Sequence, residues 1–246
     1  MRLEGKTAVV TGAASGFGAG IARVFSREGA SVMVADLNEE AAIAIADEIG
    51  GVAIRTDVSD GNSVKAMAQA ALDQWGKIDI VVNNAGITHQ KGNLEDVSEE
   101  EFDRVLAVNA KSVYLTAREI VPHMKTAATG AILNVASTAG LSPRPQLNWY
   151  NASKGWMITA TKTMAVELAP AGIRVNAICP VAGETPLLAA FMGEDTPEMR
   201  EKFLATIPIG RFSQPQDMGE AAAFLCSDAA SMITGVALEV DGGRCI

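Results

Sequence analysis

The chain has 246 residues, 48% hydrophobic and 20% charged, which is enough apolar material for one sizeable core. Its 20 basic and 29 acidic residues give a net charge of -9 with no basic cluster, which argues against a nucleic-acid partner. Cys179, Cys226 and Cys245 are too few and too scattered for a disulfide framework or a zinc site, and no apolar run nears the ~20 residues of a membrane helix. The expectation is a soluble, cytoplasmic protein with no metal and no membrane partner.

Short β-branched runs alternate with longer amphipathic stretches. Residues 7–11 (TAVVT) predict a strand, 16–29 a helix, 31–36 (SVMVAD) a strand and 38–50 a helix. A third strand is expected at 52–57, then a helix to about Trp75, then a fourth strand at 78–83. A long helical region runs from Ser98 to about Thr126. A strand at 131–137, a helix from Trp149 to Ala169, a strand at 173–179 and a last strand at 235–240 complete the pattern. Strands apolar on both faces, alternating with helices, indicate a parallel sheet covered on both sides. The fold class expected is α/β: a single-domain, Rossmann-type, doubly wound parallel sheet of about seven strands over residues 1–246. Residues 184–212 carry Pro186, Pro197 and Pro208, break this rhythm and read as a substrate lid.

TGAASGFG (11–18) joins the first strand to the first helix. Gly12 permits a tight turn there, and Gly16 and Gly18 let a backbone approach a pyrophosphate at the helix N-terminus. The spacing is neither G-x-G-x-x-G nor a P-loop. Asp36 ends the second strand, where a carboxylate accepts hydrogen bonds from ribose hydroxyls and repels a 2′-phosphate, so NAD is expected over NADP. Asp57, at the end of the third strand, reads either as an adenine contact or as a carboxylate near a helix N-cap.

Asn83-Asn84-Ala85-Gly86 follows the fourth strand, Ser137 closes the fifth, and Tyr150 and Lys154 stand one turn apart on the next helix. All lie at carboxyl ends of strands, where open α/β sheets bind ligands. Free tyrosine, with a pKa near ~10, is a poor base at neutral pH, and a lysine one turn away favours the phenolate. The glycine turn, NNAG, Asn109, Ser137 and YNASK, in this order, resemble the short-chain dehydrogenase/reductase family in its compact form, over Leu3 to about Gly243.

That resemblance implies that Ser137, Tyr150 and Lys154 are catalytic, with Asn109 positioning a water in a proton relay. It implies that Lys154 also binds the nicotinamide ribose, and that Tyr150 lies against the nicotinamide. Further cofactor contacts implied are Ser15 and Phe17 in the glycine turn, Leu37 and Val58 beside the two carboxylates, and Asn84, Ala85 and Gly86 after the fourth strand. Pro180, Val181 and Thr185 match the segment after the sixth strand. Val181 stands where the family usually has Gly, and Gly183 comes two residues later.

Candidates for the substrate pocket are His89, Thr138, Arg144, Gln146 and Leu188. Leu187, Phe191 and Met192 join Leu188 either in facing an apolar substrate or in packing the lid. Arg144 is flanked by two prolines, so it either pairs with an anionic group or points to solvent, and His89 also reads as an ordinary loop residue. The expected activity is hydride transfer between NAD(H) and a small secondary alcohol or ketone. The alternative is an NADPH-dependent 3-oxoacyl-thioester reductase acting on an acyl carrier protein. Asp36 and the uncharged stretches before the fifth and sixth strands count against it. A non-catalytic NAD sensor would be expected to have lost the Ser–Tyr–Lys set, which is intact. Family resemblance also implies a homotetramer.

Overall fold

The computed structural model describes all 246 residues. Seven parallel strands form one sheet: β1 (Thr7–Thr11), β2 (Ser31–Asp36), β3 (Val52–Arg55), β4 (Ile80–Asn83), β5 (Gly130–Val135), β6 (Ile173–Pro180) and β7 (Ala237–Val240). Their spatial order is β3-β2-β1-β4-β5-β6-β7. Successive side chains point to opposite faces, so Ala8 and Val10 of β1 enter one apolar layer while Val9 enters the other. Every residue of β1 is buried, as a strand covered on both faces requires.

One layer packs α1 (Gly16–Arg27), α2 (Glu39–Ile49) and α9 (Pro215–Cys226) on the sheet, through Ile21, Phe25, Ile45, Met218 and Leu225. The other packs α3 (Gly61–Trp75), α5 (Ser112–Ala127) and α6 (Asn148–Leu168), through Val64, Met67, Leu115, Ile120 and Leu168. The strand order reverses between β1 and β4, and such a switch point opens a crevice at the carboxyl ends of the strands.

Three expected elements differ. The region from Ser98 to about Thr126 is not one helix: α4 (Glu99–Leu106) passes into a π-helical segment, Ala107–Lys111, before α5. The third strand stops at Arg55, because the Asp57 carboxylate accepts hydrogen bonds from Ser59 N and Oγ at 2.9 and 2.6 Å and turns the chain. Residues 184–212, expected as a lid with no element assigned within it, hold α7 (Leu188–Met192) and α8 (Pro197–Leu204). Thr196 caps α8 by accepting from Met199 N, and Pro197 occupies its first turn, where a missing N–H costs nothing.

A buried polar chain locks the second layer to the strands. Thr116 Oγ1 donates to Asn83 Oδ1, Asn83 Nδ2 to Asn134 Oδ1, and Asn134 Nδ2 to Thr161 Oγ1, each at 2.8 Å. It fixes α5 and α6 against the ends of β4 and β5, directly beneath the crevice.

Candidate active site

A cavity of about 560 Å³ runs along the carboxyl ends of the strands, within the range of small-molecule sites. One end is the glycine turn. Gly12 and Gly16 take left-handed backbone angles, φ +61° and +54°, which favour glycine. A Cβ on Gly18 would lie 2.2 Å from Gly12 O, and one on Gly16 would lie 3.3 Å from Thr185 Cβ. The turn is therefore a bare-backbone cradle at the N-terminus of α1, roofed by Thr185. That is what a bridging pyrophosphate needs, so the residues present fit a dinucleotide.

Asp36 stands at the rim of this cradle. Its carboxylate accepts from Ala14 N and Asn38 N, both at 3.0 Å, which fixes its orientation. Ser15, Phe17, Leu37, Asp57 and Val58 line the same end. The Asp57 carboxyl is held below its ordinary value, mainly by the hydrogen bonds from Ser59. Gly18 does not line the cavity; it packs under the turn, where only hydrogen fits. Asn84, Ala85 and Gly86 line the middle, but the Asn84 amide is committed to the turn, donating to Thr11 O at 2.8 Å and Gly12 O at 2.9 Å.

Pro180, Val181 and Thr185 line the cavity as expected. The exchange of Gly for Val after Pro180 is accommodated by Gly183, whose absent Cβ would lie 2.4 Å from the Phe17 ring. Glu184 N donates to Ser213 O at 2.9 Å and Ser213 N to Ala182 O at 3.2 Å, pinning that loop.

At the other end Ser137, Tyr150 and Lys154 meet. Ser137 lies two residues beyond β5, its Oγ accepts from Ala139 N at 3.0 Å, and its hydroxyl is close enough to the Tyr150 phenol to lower the phenol's pKa. Tyr150 and Lys154 are buried, and Lys154 Nζ donates to Val135 O at 2.8 Å, 6.0 Å from the centre of the Tyr150 ring. Burial dominates both titrations. It pushes the phenol up to about 12 against the lowering effect of Ser137, and pushes the ammonium down to about 8. Burial thus opposes the phenolate, an effect that the spacing of the two residues does not show.

Asn109 does not reach the cavity. It sits fully buried in the π-helical segment and clamps the chain after NNAG, its Oδ1 accepting from Ile87 N at 2.9 Å and its Nδ2 donating to Ile87 O at 2.8 Å and Ser153 Oγ at 3.0 Å. Among the substrate candidates, Thr138, Arg144 and Gln146 line the cavity. Gln146 takes φ +69°, a strained angle for a side-chain-bearing residue, at the pocket wall.

Two candidates fail. His89 is 1% exposed and does not line the cavity, its Nδ1 hydrogen-bonded to Gln90 O at 2.7 Å. Leu188 is buried with Met192 in a small cluster of Val181, Ile207 and Phe212, so it packs the segment instead of facing the pocket. Their neighbours Leu187 and Phe191 do line it, Phe191 with its ring centre 5.2 Å from that of Tyr150. Sequence reasoning missed Ser142, Asn151, Phe203 and Arg244, which also line the pocket. Asn151, next to Tyr150, keeps a buried Oδ1 without a partner.

The fold and this site define a nicotinamide-dinucleotide-type oxidoreductase. The family model described as "Enoyl-(Acyl carrier protein) reductase" matches residues 12–244. The 4-formylbenzenesulfonate dehydrogenase of Comamonas testosteroni is 52% identical, with 99% of each chain covered. The cis-4-hydroxycyclohexanecarboxylate dehydrogenase of Sinomonas cyclohexanicum is 39% identical, covering 97% of this chain and 96% of its own. A solved structure described as the 3-ketoacyl-(acyl-carrier-protein) reductase of Brucella melitensis complexed with NADH is 53% identical, with TM-score 0.95 over 99% of this chain and 100% of that one. The chain belongs to the short-chain dehydrogenase/reductase family, an oxidoreductase family that binds a nicotinamide cofactor and acts on CH–OH groups. The names of these relatives differ in substrate, so membership fixes the class of chemistry and leaves the substrate open.

Proposed function

We propose that this enzyme transfers hydride between NAD(H) and a secondary alcohol or its ketone, with Tyr150 as acid/base. The observation that carries the reading is the meeting of Ser137, Tyr150 and Lys154 in one cavity with the glycine cradle and Asp36. The two carboxyl-end carboxylates and the cradle would hold the adenosine end, while Gly86, Pro180, Val181 and Lys154 would hold the nicotinamide end. Bound there, the nicotinamide supplies the carbon that takes or gives hydride and, when oxidised, a positive charge that opposes the effect of burial on the phenol. In oxidation Tyr150 Oη takes the hydroxyl proton as the carbon loses hydride; in reduction it returns that proton to the carbonyl oxygen. Ser137 Oγ donates a hydrogen bond to the same oxygen. Lys154 keeps a proton close to the phenol and reaches the ribose. Asn109 acts by holding the Ile87 backbone, and with it the wall opposite Tyr150, while a water relay beyond it remains part of the proposal.

Residues 184–212 serve as the cover of the site, with Leu187 and Phe191 on its inner side. The relatives from Comamonas and Sinomonas are named for six-membered-ring compounds bearing an acid group, which supports a ring-shaped substrate body here. We also propose a homotetramer, supported by exposed Tyr114 on α5 and Trp156 and Val166 on α6, apolar surface where two such helices can pair across a two-fold axis.

The likeness to the Brucella reductase, itself described in complex with NADH, favours a second reading, reduction of a 3-oxoacyl thioester; the form of it expected from the sequence uses NADPH. Initial rates of acetoacetyl-thioester reduction, with NADH and NADPH side by side, separate the two. Slow thioester turnover together with NAD-dependent oxidation of secondary alcohols supports the first reading. Fast turnover with NADPH overturns it.

A further inference from the structure

The substrate end of the cavity carries charge that the hydride-transfer reading does not use. Arg144 and Arg244 both line it. Every ion pair in the protein lies elsewhere. Arg144 Nη2 donates to Thr206 Oγ1 at 2.8 Å, and its guanidinium lies 5.4 Å from the centre of the Phe203 ring. Arg244 makes only long contacts, from Nη1 to Ser142 Oγ at 3.3 Å and from Nη2 to Ser142 O at 3.4 Å. These contacts leave most of the ten N–H donors of two guanidiniums free.

The two cations also sense each other. Burial, and then the charge of Arg244, lower the Arg144 value below that of a free guanidinium. Two half-buried cations held near one another without a counter-ion are unfavourable on their own. The carboxylates that line the cavity, Asp36 and Asp57, stand at its far end, at the tips of β2 and β3. Exposed Lys91 adds a further positive charge to the pocket lining. The cavity is thus polarised, negative at the dinucleotide end and positive at the substrate end, in a chain whose net charge of -9 would otherwise repel anions.

We propose that Arg144 and Arg244 form a clamp for a carboxylate or sulfonate borne by the substrate, at the end remote from its reacting carbon. The clamp rests on the dehydrogenase reading above and specifies its substrate class: an anionic, apolar-bodied alcohol or ketone. Arginine suits the task because its planar fork offers two parallel donors to two oxygens of one acid group. The segment bearing Arg144 is tied to the catalytic helix, since Asn151 Nδ2, one residue past Tyr150, donates to Arg144 O at 2.7 Å. Phe191, Phe203 and Leu147 supply apolar wall in the same cavity, which suits a ring carrying its reacting carbon on one side and its acid on the other.

The test compares acetophenone, 4-acetylbenzoate and 4-acetylbenzenesulfonate by equilibrium dialysis on the wild-type protein and on Arg144→Gln, Arg244→Gln and Arg144→Lys. The corresponding alcohols are then assayed with NAD. The clamp predicts that both anionic ketones bind at least about tenfold more tightly than the neutral one, and that added salt weakens only the anions. The preference should collapse in both glutamine variants and survive in part in the lysine variant. Equal dissociation constants for neutral and anionic ketones in the wild type overturn it, as does an unchanged ratio in the glutamine variants. If Arg144 only ties Thr206 in place, its loss lowers the melting temperature and weakens all three ligands together, which also overturns the clamp. An anion preference in binding without turnover of any alcohol leaves the clamp standing and removes the dehydrogenase reading. Turnover without an anion preference does the reverse.

Discussion

Lys154 is an ammonium buried without a carboxylate partner, and its replacement makes a prediction with a sign that runs against intuition. Burial lowers its pKa from 10.5 to about 8. At 1.36 kcal/mol per pH unit, holding the charge in the folded state costs about 3 kcal/mol at pH 7. Below pH 8 the folded and unfolded chains both carry the proton, so the cost is full. Between pH 8 and 10.5 the folded protein releases its proton first, and the cost shrinks to about 2 kcal/mol at pH 9. Lys154→Met removes the charge at similar volume and loses the hydrogen bond from the ammonium to Val135 O, worth about 1.5 kcal/mol at the low end for a charged donor. The variant should therefore be more stable than wild type by about 1.5 kcal/mol at pH 7, or about 3–6 °C in melting temperature for a chain of this size, and by about 0.5 kcal/mol at pH 9. It should also be inactive. The difference between the two proteins is the quantity to read. The buried thiols of Cys179 and Cys226, both pushed up to about 12 by burial, lose stability in both proteins as pH rises above 9. Thermal melts of the two proteins at pH 7 and pH 9 are sufficient. A Lys154→Met variant that melts below wild type at pH 7, or a gap that does not narrow at pH 9, refutes the reasoning.

Asp36→Ala should relax cofactor choice. In the proposed role the fixed carboxylate would repel a 2′-phosphate and give the ribose a charged hydrogen-bond partner worth about 1.5–3 kcal/mol. Wild type should prefer NAD over NADP by about 100-fold or more in kcat/KM, and the variant should lose at least about tenfold of that; equal use of both cofactors by wild type contradicts it. Gly18→Ala puts a methyl 2.2 Å from Gly12 O and 2.4 Å from Asn84 Nδ2. Such overpacking costs about 1–3 kcal/mol, and NADH titration should show affinity weakened about tenfold or more; unaltered affinity would show that the turn does not hold the dinucleotide.

The sheet and the glycine turn were legible because a parallel sheet buried on both faces requires continuous apolar runs, and a backbone cradle requires glycine. Spacing put Tyr150 and Lys154 one turn apart on a helix face, and the family resemblance singled out Ser137 with them; the structure places all three on one cavity. What escaped depends on contacts distant in sequence or on small departures from periodicity. The π-helical segment at Asn109 interrupts a region whose pattern reads as unbroken helix, and it carries the side chain that clamps Ile87, 22 positions away. The Thr196-Pro197 start of α8 did carry a cap-and-proline signal, obscured by the neighbouring prolines. Leu187 and Leu188 are adjacent and equally apolar, yet one faces the cavity and the other the cluster beneath it. Arg244 meets Ser142 across 102 positions, a proximity that nothing local records. Burial raises the Tyr150 pKa and lowers that of Lys154, and spacing reveals the neighbour but not this depth of burial.

The role proposed for the Tyr150 phenol is to move the proton in a hydride-transfer reaction. The most direct measurement pairs the initial rate of secondary-alcohol oxidation with NAD against NADH affinity, in wild type and in Tyr150→Phe. The account predicts a fall in rate of at least about 10²–10⁴-fold, with NADH affinity within a few-fold of wild type. Retained turnover in the phenylalanine variant would contradict it.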